Sequence, residues 1–117
     1  GNGDFQGEPC HTLTRFNTKT CEFKDIDLGF VPFRFAKFKN WMFISDNKRS
    51  SRKLAIYNTK TNEVETKELE HSADYMAVDE KNKKLYALGD QYLCQYDLPS
   101  LKLLKKTDCL GYVVFTK

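Results

Sequence analysis

The 117-residue chain carries 35 charged residues, 16 aromatics, four cysteines and only three prolines, with a formal net charge of +3. One domain is the default at this length, and folding would bury about two-thirds of the unfolded surface. No run approaches the ~18 apolar residues of a membrane-spanning helix, the apolar content and mixed charge exclude a disordered chain, and the net charge is too small to argue for nucleic acid.

Residues 1–9 read as a tail that opens on Gly1-Asn2-Gly3, and residues 10–117 as a single β domain. No basic start followed by an apolar stretch opens the chain, so it reads as a mature or trimmed sequence. The first unit, Arg15-Phe16-Asn17-Thr18-Lys19-Thr20-Cys21-Glu22-Phe23, predicts strand, tight turn, strand. Next come Phe33–Ala36, a turn over Lys37–Asn40, and Trp41–Ile44, a second hairpin. Ile56-Tyr57-Asn58-Thr59-Lys60-Thr61-Asn62-Glu63-Val64 then repeats the first unit. Met76–Val78 and Leu85–Leu88, joined by the charged run Asp79–Lys84, repeat the second. Gln95-Tyr96-Asp97-Leu98-Pro99-Ser100-Leu101-Lys102-Leu103 is a third copy of the first. Tyr112–Phe115 reads as the opening strand of a further unit. The aromatic anchors Phe16, Tyr57 and Tyr96 stand 41 and 39 residues apart. After each anchor an Asn or Asp can bond its own backbone and start a turn, and Pro99 fixes φ within the third turn. No window sustains a helical period over three turns, so the prediction is all-β, with nine to eleven short strands.

An aromatic-Asn/Asp-x-x-Thr/Ser turn following a Val-Asp-x-x-Asn-x-x-Leu-Tyr hairpin, at a period near 40, resembles the blades of β-propellers of the YVTN or NHL type. The resemblance covers residues 10–117 and is best between Tyr75 and Leu104. It implies sheets of four strands, arranged as four to eight blades in a closed ring. At ~40 residues per blade the chain holds fewer than three, so two copies would be needed to complete a ring. A single domain of this length instead favours a small antiparallel β-sandwich or barrel built from repeated hairpins. Both architectures remain open, as a monomer or as a ring-completing homodimer.

Four cysteines in a small chain, with no Cys-x-x-Cys pair, point to two disulfides in an oxidising compartment rather than to a metal site. The chain is therefore expected to be secreted, without metal or cofactor. Cys10 and Cys21 do not face each other across the turn near Thr18, nor do Cys94 and Cys109 across the turn near Pro99. Of the three possible pairings, Cys10–Cys109 with Cys21–Cys94 is expected, and a clasp of ~100 residues would contribute about 4–5 kcal/mol in the chain-entropy model.

Charge is segregated. Arg34, Lys37, Lys39, Lys48, Arg49, Arg52 and Lys53 meet one acid, Asp46, whereas Glu63, Glu65, Glu68, Glu70, Asp74, Asp79 and Glu80 meet one base, Lys67. The loop bearing Lys48, Arg49, Arg52 and Lys53, with Trp41 nearby in sequence, is the candidate surface for an anionic glycan or an acidic protein face. Six rings fall between Phe30 and Phe43. Their alternation slips before Phe38, which points to core filling with a turn or bulge rather than a base-stacking platform. The acidic block that follows argues further against nucleic acid. His11 and His71 are the only near-neutral bases. No nucleophile elbow, zinc-protease motif, phosphate loop or calcium loop accompanies them. The sequence thus predicts a secreted, non-enzymatic, effector- or toxin-like binding protein, the alternative being a small secreted hydrolase, such as a ribonuclease, using His11 or His71.

Overall fold

A computed structural model describes residues 11–89 and 91–108. The described residues form ten strands and no helix. Strands β1 (Thr12–Phe16) and β2 (Phe23–Asp27) make a two-stranded hairpin sheet. Strands β3 (Pro32–Phe38), β4 (Trp41–Asp46), β5 (Lys53–Asn58) and β6 (Val64–Glu68) make the middle sheet. Strands β7 (Tyr75–Asp79), β8 (Lys84–Gly89), β9 (Tyr92–Asp97) and β10 (Leu103–Asp108) make the third. Every pairing is antiparallel between consecutive strands. The all-β class and the hairpin meander expected from the repeat are therefore observed.

The three sheets are layered. Alternation along β4 and β5 turns Ile44, Ala55 and Tyr57 to one side, where they pack with Ile26, Leu28 and Phe30 of the hairpin sheet and its exit. Phe43 and Leu54 point to the other side, where they pack with Leu85, Ala87, Cys94 and Tyr96 of the third sheet. Phe43, Ile44, Leu54 and Ala55 are all 0% exposed, so the middle sheet is dry on both faces. Side chains of this size contribute roughly 1.5–3 kcal/mol each when fully buried.

The three copies of the first unit fold into the same turn. Asn17 Oδ1 accepts from the amides of Lys19 and Thr20, and Asn58 Oδ1 accepts from those of Lys60 and Thr61. The backbone of each turn closes twice, Asn17 with Cys21 and Glu22, Asn58 with Asn62 and Glu63, and Asp97 with Leu101 and Lys102. In all three a hydroxyl two residues before the exit accepts an amide: those of Thr20, Thr61 and Ser100 accept from Glu22, Glu63 and Lys102. The left-handed residue is not the Asn or Asp itself. It is Cys21, Asn62 or Leu101, with φ of 61°, 63° and 59°. The polar residue after each aromatic anchor caps the turn instead of supplying its left-handed corner.

Beyond the repeat, β3 runs unbroken through Phe38, so the turn or bulge expected before Phe38 is absent there; the register shift lies earlier, between Pro32 and Phe35. Phe30, Phe38 and Phe43 are core, whereas Phe33 and Phe35 are exposed. At the third sheet Gly89 lies against the backbone of Ser72, so close that an added Cβ would sit 2.2 Å from the Ser72 carbonyl oxygen and 2.7 Å from its carbon. Tyr112–Phe115 falls outside the described residues.

Two substitutions test this account. Asn58→Ala leaves two turn amides without their side-chain acceptor and is expected to cost about 1 kcal/mol. Gly89→Ala forces backbone apart and is expected to cost about 2–3 kcal/mol. Urea unfolding of each variant measures both, and equal midpoints for Gly89→Ala and wild type contradict the close approach.

Candidate functional site

The basic loop sits where β4 ends and β5 begins. Asp46, 9% exposed, anchors it: Oδ1 accepts from the Lys48 amide and Oδ2 from the Ser51 hydroxyl, at 3.0 and 2.7 Å. Ser51 also bonds back to Lys48, and Asn47 to the Val31 carbonyl. A short, internally bonded loop of this kind presents its charges from a fixed backbone. Between this loop and the exit of the hairpin sheet lies a cleft of about 330 Å³, lined by His11, Phe30, Asp46, Lys48 and Lys53 among others. The Asp46 carboxylate already accepts two hydrogen bonds at the base of the loop. Lys48 and Lys53 are exposed and make no ion pair among the described residues.

The basic block is not one surface. Arg52 is paired with Glu68 at 3.0 Å and donates to the Leu69 carbonyl, which turns it along the sheet edge. Arg34 lies between the rings of Phe33 and Tyr75, 4.4 and 4.7 Å from their centroids, and its Nε donates to the Asp74 carbonyl. It joins the middle sheet to the third. Lys39 sits over Phe38, and its amide donates to Glu80 across the same junction. Lys48 and Lys53 line the cleft, with Arg49 exposed beside them in the same loop. Trp41 does not join them. It begins β4 while the loop follows its end, about 17 Å away at ~3.3 Å per residue. Half-buried, it packs edge-on to Phe38 at 6.4 Å against the core between the middle and third sheets.

The histidines are held apart. His11 lines the cleft, and its carbonyl accepts from Leu28 at the exit of the hairpin sheet. His71, in the connection from β6 to β7, packs tilted on Tyr92 of the third sheet at 4.5 Å, and Lys106 Nζ lies 4.4 Å from the centroid of the same Tyr92 ring. The sheet between them separates the pair that a two-histidine hydrolase needs. Among the described residues no group of three or more His, Cys, Asp or Glu is arranged to hold a metal ion.

The expected Cys21–Cys94 disulfide is not formed, and both thiols are free. Cys21 is exposed at a turn of the hairpin sheet, while Cys94 is 1% exposed on the face of the third sheet that meets the middle one. An entire sheet intervenes. Cys10 and Cys109 fall outside the described residues. Burial pushes the Cys94 thiol above its ordinary pKa, and burial first, then the neighbouring thiol, does the same to the Tyr96 hydroxyl. Tyr96 Oη and Ser72 Oγ are buried without hydrogen-bond partners among the described residues.

Sequence reasoning missed Arg15, whose Nη1 donates to Tyr57 Oη, to Asn62 Oδ1 at 2.8 Å and to the Thr59 carbonyl. It bolts the hairpin sheet to the middle sheet. An arginine within a strand carries no local signal of such a partner 42 residues away. Asp46 was visible only as the lone acid among bases, a pattern that does not distinguish a loop anchor from a stray charge.

No family model matches the chain, and no curated protein matches it. Among solved structures, hydrazine synthase of Kuenenia stuttgartiensis superposes with a TM-score of 0.72 at 9% identity, over 87% of this chain and 31% of that one. The chain therefore spans under a third of the length of that protein. At this identity the likeness concerns the fold alone.

The thiols provide a direct check. Alkylation of the native protein, read by peptide mass mapping, is expected to label Cys21 and to leave Cys94 unmodified until denaturant is added. Recovery of a Cys21–Cys94 linked peptide without reductant would overturn the assignment.

Proposed function

We propose that the protein is a secreted, non-enzymatic binding protein that engages an anionic partner through the β4–β5 loop. The observation that carries this reading is the cleft of about 330 Å³ in which Lys48, Lys53 and His11 surround a loop anchored by Asp46. Fixed cations on a rigid scaffold lose little conformational freedom on binding, and they raise the local concentration of anions. Phe30 adds an apolar wall. The contact set is Lys48, Arg49 and Lys53, without Arg52, which Glu68 holds, and without Trp41, which the core holds. The secreted setting rests on composition, four cysteines in a chain of 117 residues.

The scaffold is read as a stack of propeller-like blades. The support is the order of each four-stranded sheet, a simple meander, together with the contact between their first strands, β3 and β7. Blades of this kind leave their connecting loops at two ends, where binding residues collect without disturbing the core.

Heparin fragments serve as the probe. Wild type is expected to bind them with an affinity that falls as salt is raised. Lys48→Glu with Lys53→Glu should weaken binding at least 10-fold in low salt, while Arg52→Glu should change it about 3-fold or less. Calorimetry at two ionic strengths reads both. Equal affinities for wild type and the double variant reject the cleft as the binding site.

A further inference from the structure

Successive turns of the repeat leave the same cleft at both junctions of the stack. Between the β1–β2 turn and the β5–β6 turn lies a cleft of about 410 Å³, lined by Arg15, Glu22, Phe23 and Lys24 among others. Ile56, Glu63, Val64 and Glu65 stand 41 residues further on, as Tyr57 stands to Phe16, and they line a cleft of about 330 Å³ between β6 and the β9–β10 turn. The position is equivalent and the charge is reversed. Arg15 and Lys24 make the first cleft cationic, and Arg15 crosses the junction to Tyr57, Asn62 and the Thr59 carbonyl. In the second cleft Ile56 stands where Arg15 does, and Glu65 where Lys24 does.

Register sets Trp41 beside Asn58 and Ile56 beside Glu65, on the face of the middle sheet that meets the third. Trp41 and Ile56 pack against the core there and also line the cleft, where Pro99 of the β9–β10 turn joins them. Glu63 and Glu65 are exposed and form no ion pair among the described residues. Lys67 is the only cation that the described residues bring to this lining. One lysine cannot neutralise two carboxylates. An aromatic ring, an aliphatic wall and an unbalanced carboxylate are together complementary to a cation on an apolar stem.

We infer that this second cleft binds an arginine side chain presented by a peptide. A guanidinium is planar, lies flat on an aromatic face and forks onto a carboxylate with two hydrogen bonds, whereas an ammonium is a point charge. At about 330 Å³ the cleft is at the lower end of ligand sites and takes one side chain rather than a large ligand. Glu63, Glu65 and Pro99 are exposed, so the peptide backbone stays outside. The first junction holds the same group already, supplied by the chain itself as Arg15. Ile56 brings no such group to the second, which leaves it to a partner. Trp41 begins β4 and the basic loop follows its end, so this site stands apart from the anionic-partner cleft, and heparin and peptide are separate readouts.

Trp41 is the only tryptophan, so its fluorescence reports on this cleft alone. Titration with a blocked Gly-Arg-Gly tripeptide is expected to change the emission saturably. The citrulline counterpart keeps the shape and loses the charge, and should bind about 10-fold more weakly, the difference that one charge-assisted pair makes. Glu63→Gln with Glu65→Gln should weaken the arginine peptide by about 10-fold or more on the same ground. Both glutamates are exposed, so this variant keeps its fold, which an unchanged urea midpoint verifies. No saturable change up to about 10 mM arginine peptide overturns the inference. So does equal affinity for the citrulline peptide, or undiminished affinity in the double variant. Free arginine that binds as tightly as the tripeptide overturns the assignment of a peptide as its source.

Discussion

Everything in this molecule depends on the middle sheet being covered on both faces. A strand whose side chains alternate across a sheet can bury all of them only when a layer lies on each side. β4 and β5 meet that condition: four consecutive residues of β4, Phe43 to Asp46, are buried, and Leu54 and Ala55 are adjacent and both dry. The flanking sheets are dry on one face and wet on the other. Order in the stack is therefore set from its centre, and the hairpin sheet, with two strands and one modest cluster of contacts, is its least supported layer.

Charge works with that layering rather than apart from it. Arg15 and Arg34 join neighbouring sheets, one by hydrogen bonds to Tyr57 and Asn62, the other by a place between two rings. The outer strands use charge differently. β6 exposes Glu65, Lys67 and Glu68, and β10 exposes Lys105 and Lys106, so the open hydrogen-bonding edges of both four-stranded sheets are lined with ions. Charged edges discourage the strand addition to which an unpaired edge is prone. Glu65 and Glu68 of the acidic block lie on the β6 edge, and Glu63 and Glu70 flank it. The block's segregation from the bases reflects successive elements in different places, and the bases around the β4–β5 loop are left at a strand end rather than along an edge.

The strands were legible because their signals are local. Alternation in Leu85-Tyr86-Ala87-Leu88, and the Asn-Thr-Lys-Thr turns after Phe16 and Tyr57, need no knowledge of distant residues. The repeat carried further still, since its three turns share backbone bonds as well as residue types. What failed were pairings across layers. Cys21 and Cys94 occupy unrelated places in the first and third repeats, one in a turn and one in a strand, and evenness of the cysteine count says nothing about that offset. Trp41 and Lys48 are seven residues apart, which in a loop would mean neighbours but along a strand means opposite ends. Gly89 looks like any strand-end glycine until the Ser72 backbone is placed against it.

Separation of the cleft from the stacking faces has a consequence for how the scaffold can vary. Lys48, Arg49 and Lys53 lie in or beside the β4–β5 loop and are exposed. Asp46 ties the loop to the core, because its carboxylate holds the loop while its backbone pairs with Pro32 in β3, and the Asn47 amide adds a bond to the Val31 carbonyl. Loss of that carboxylate would free the loop without removing any apolar contact, whereas loss of Ile44, two residues earlier, would open the layer beneath it. Loop geometry and core packing meet at Asp46 and its neighbours, and away from them each can change independently.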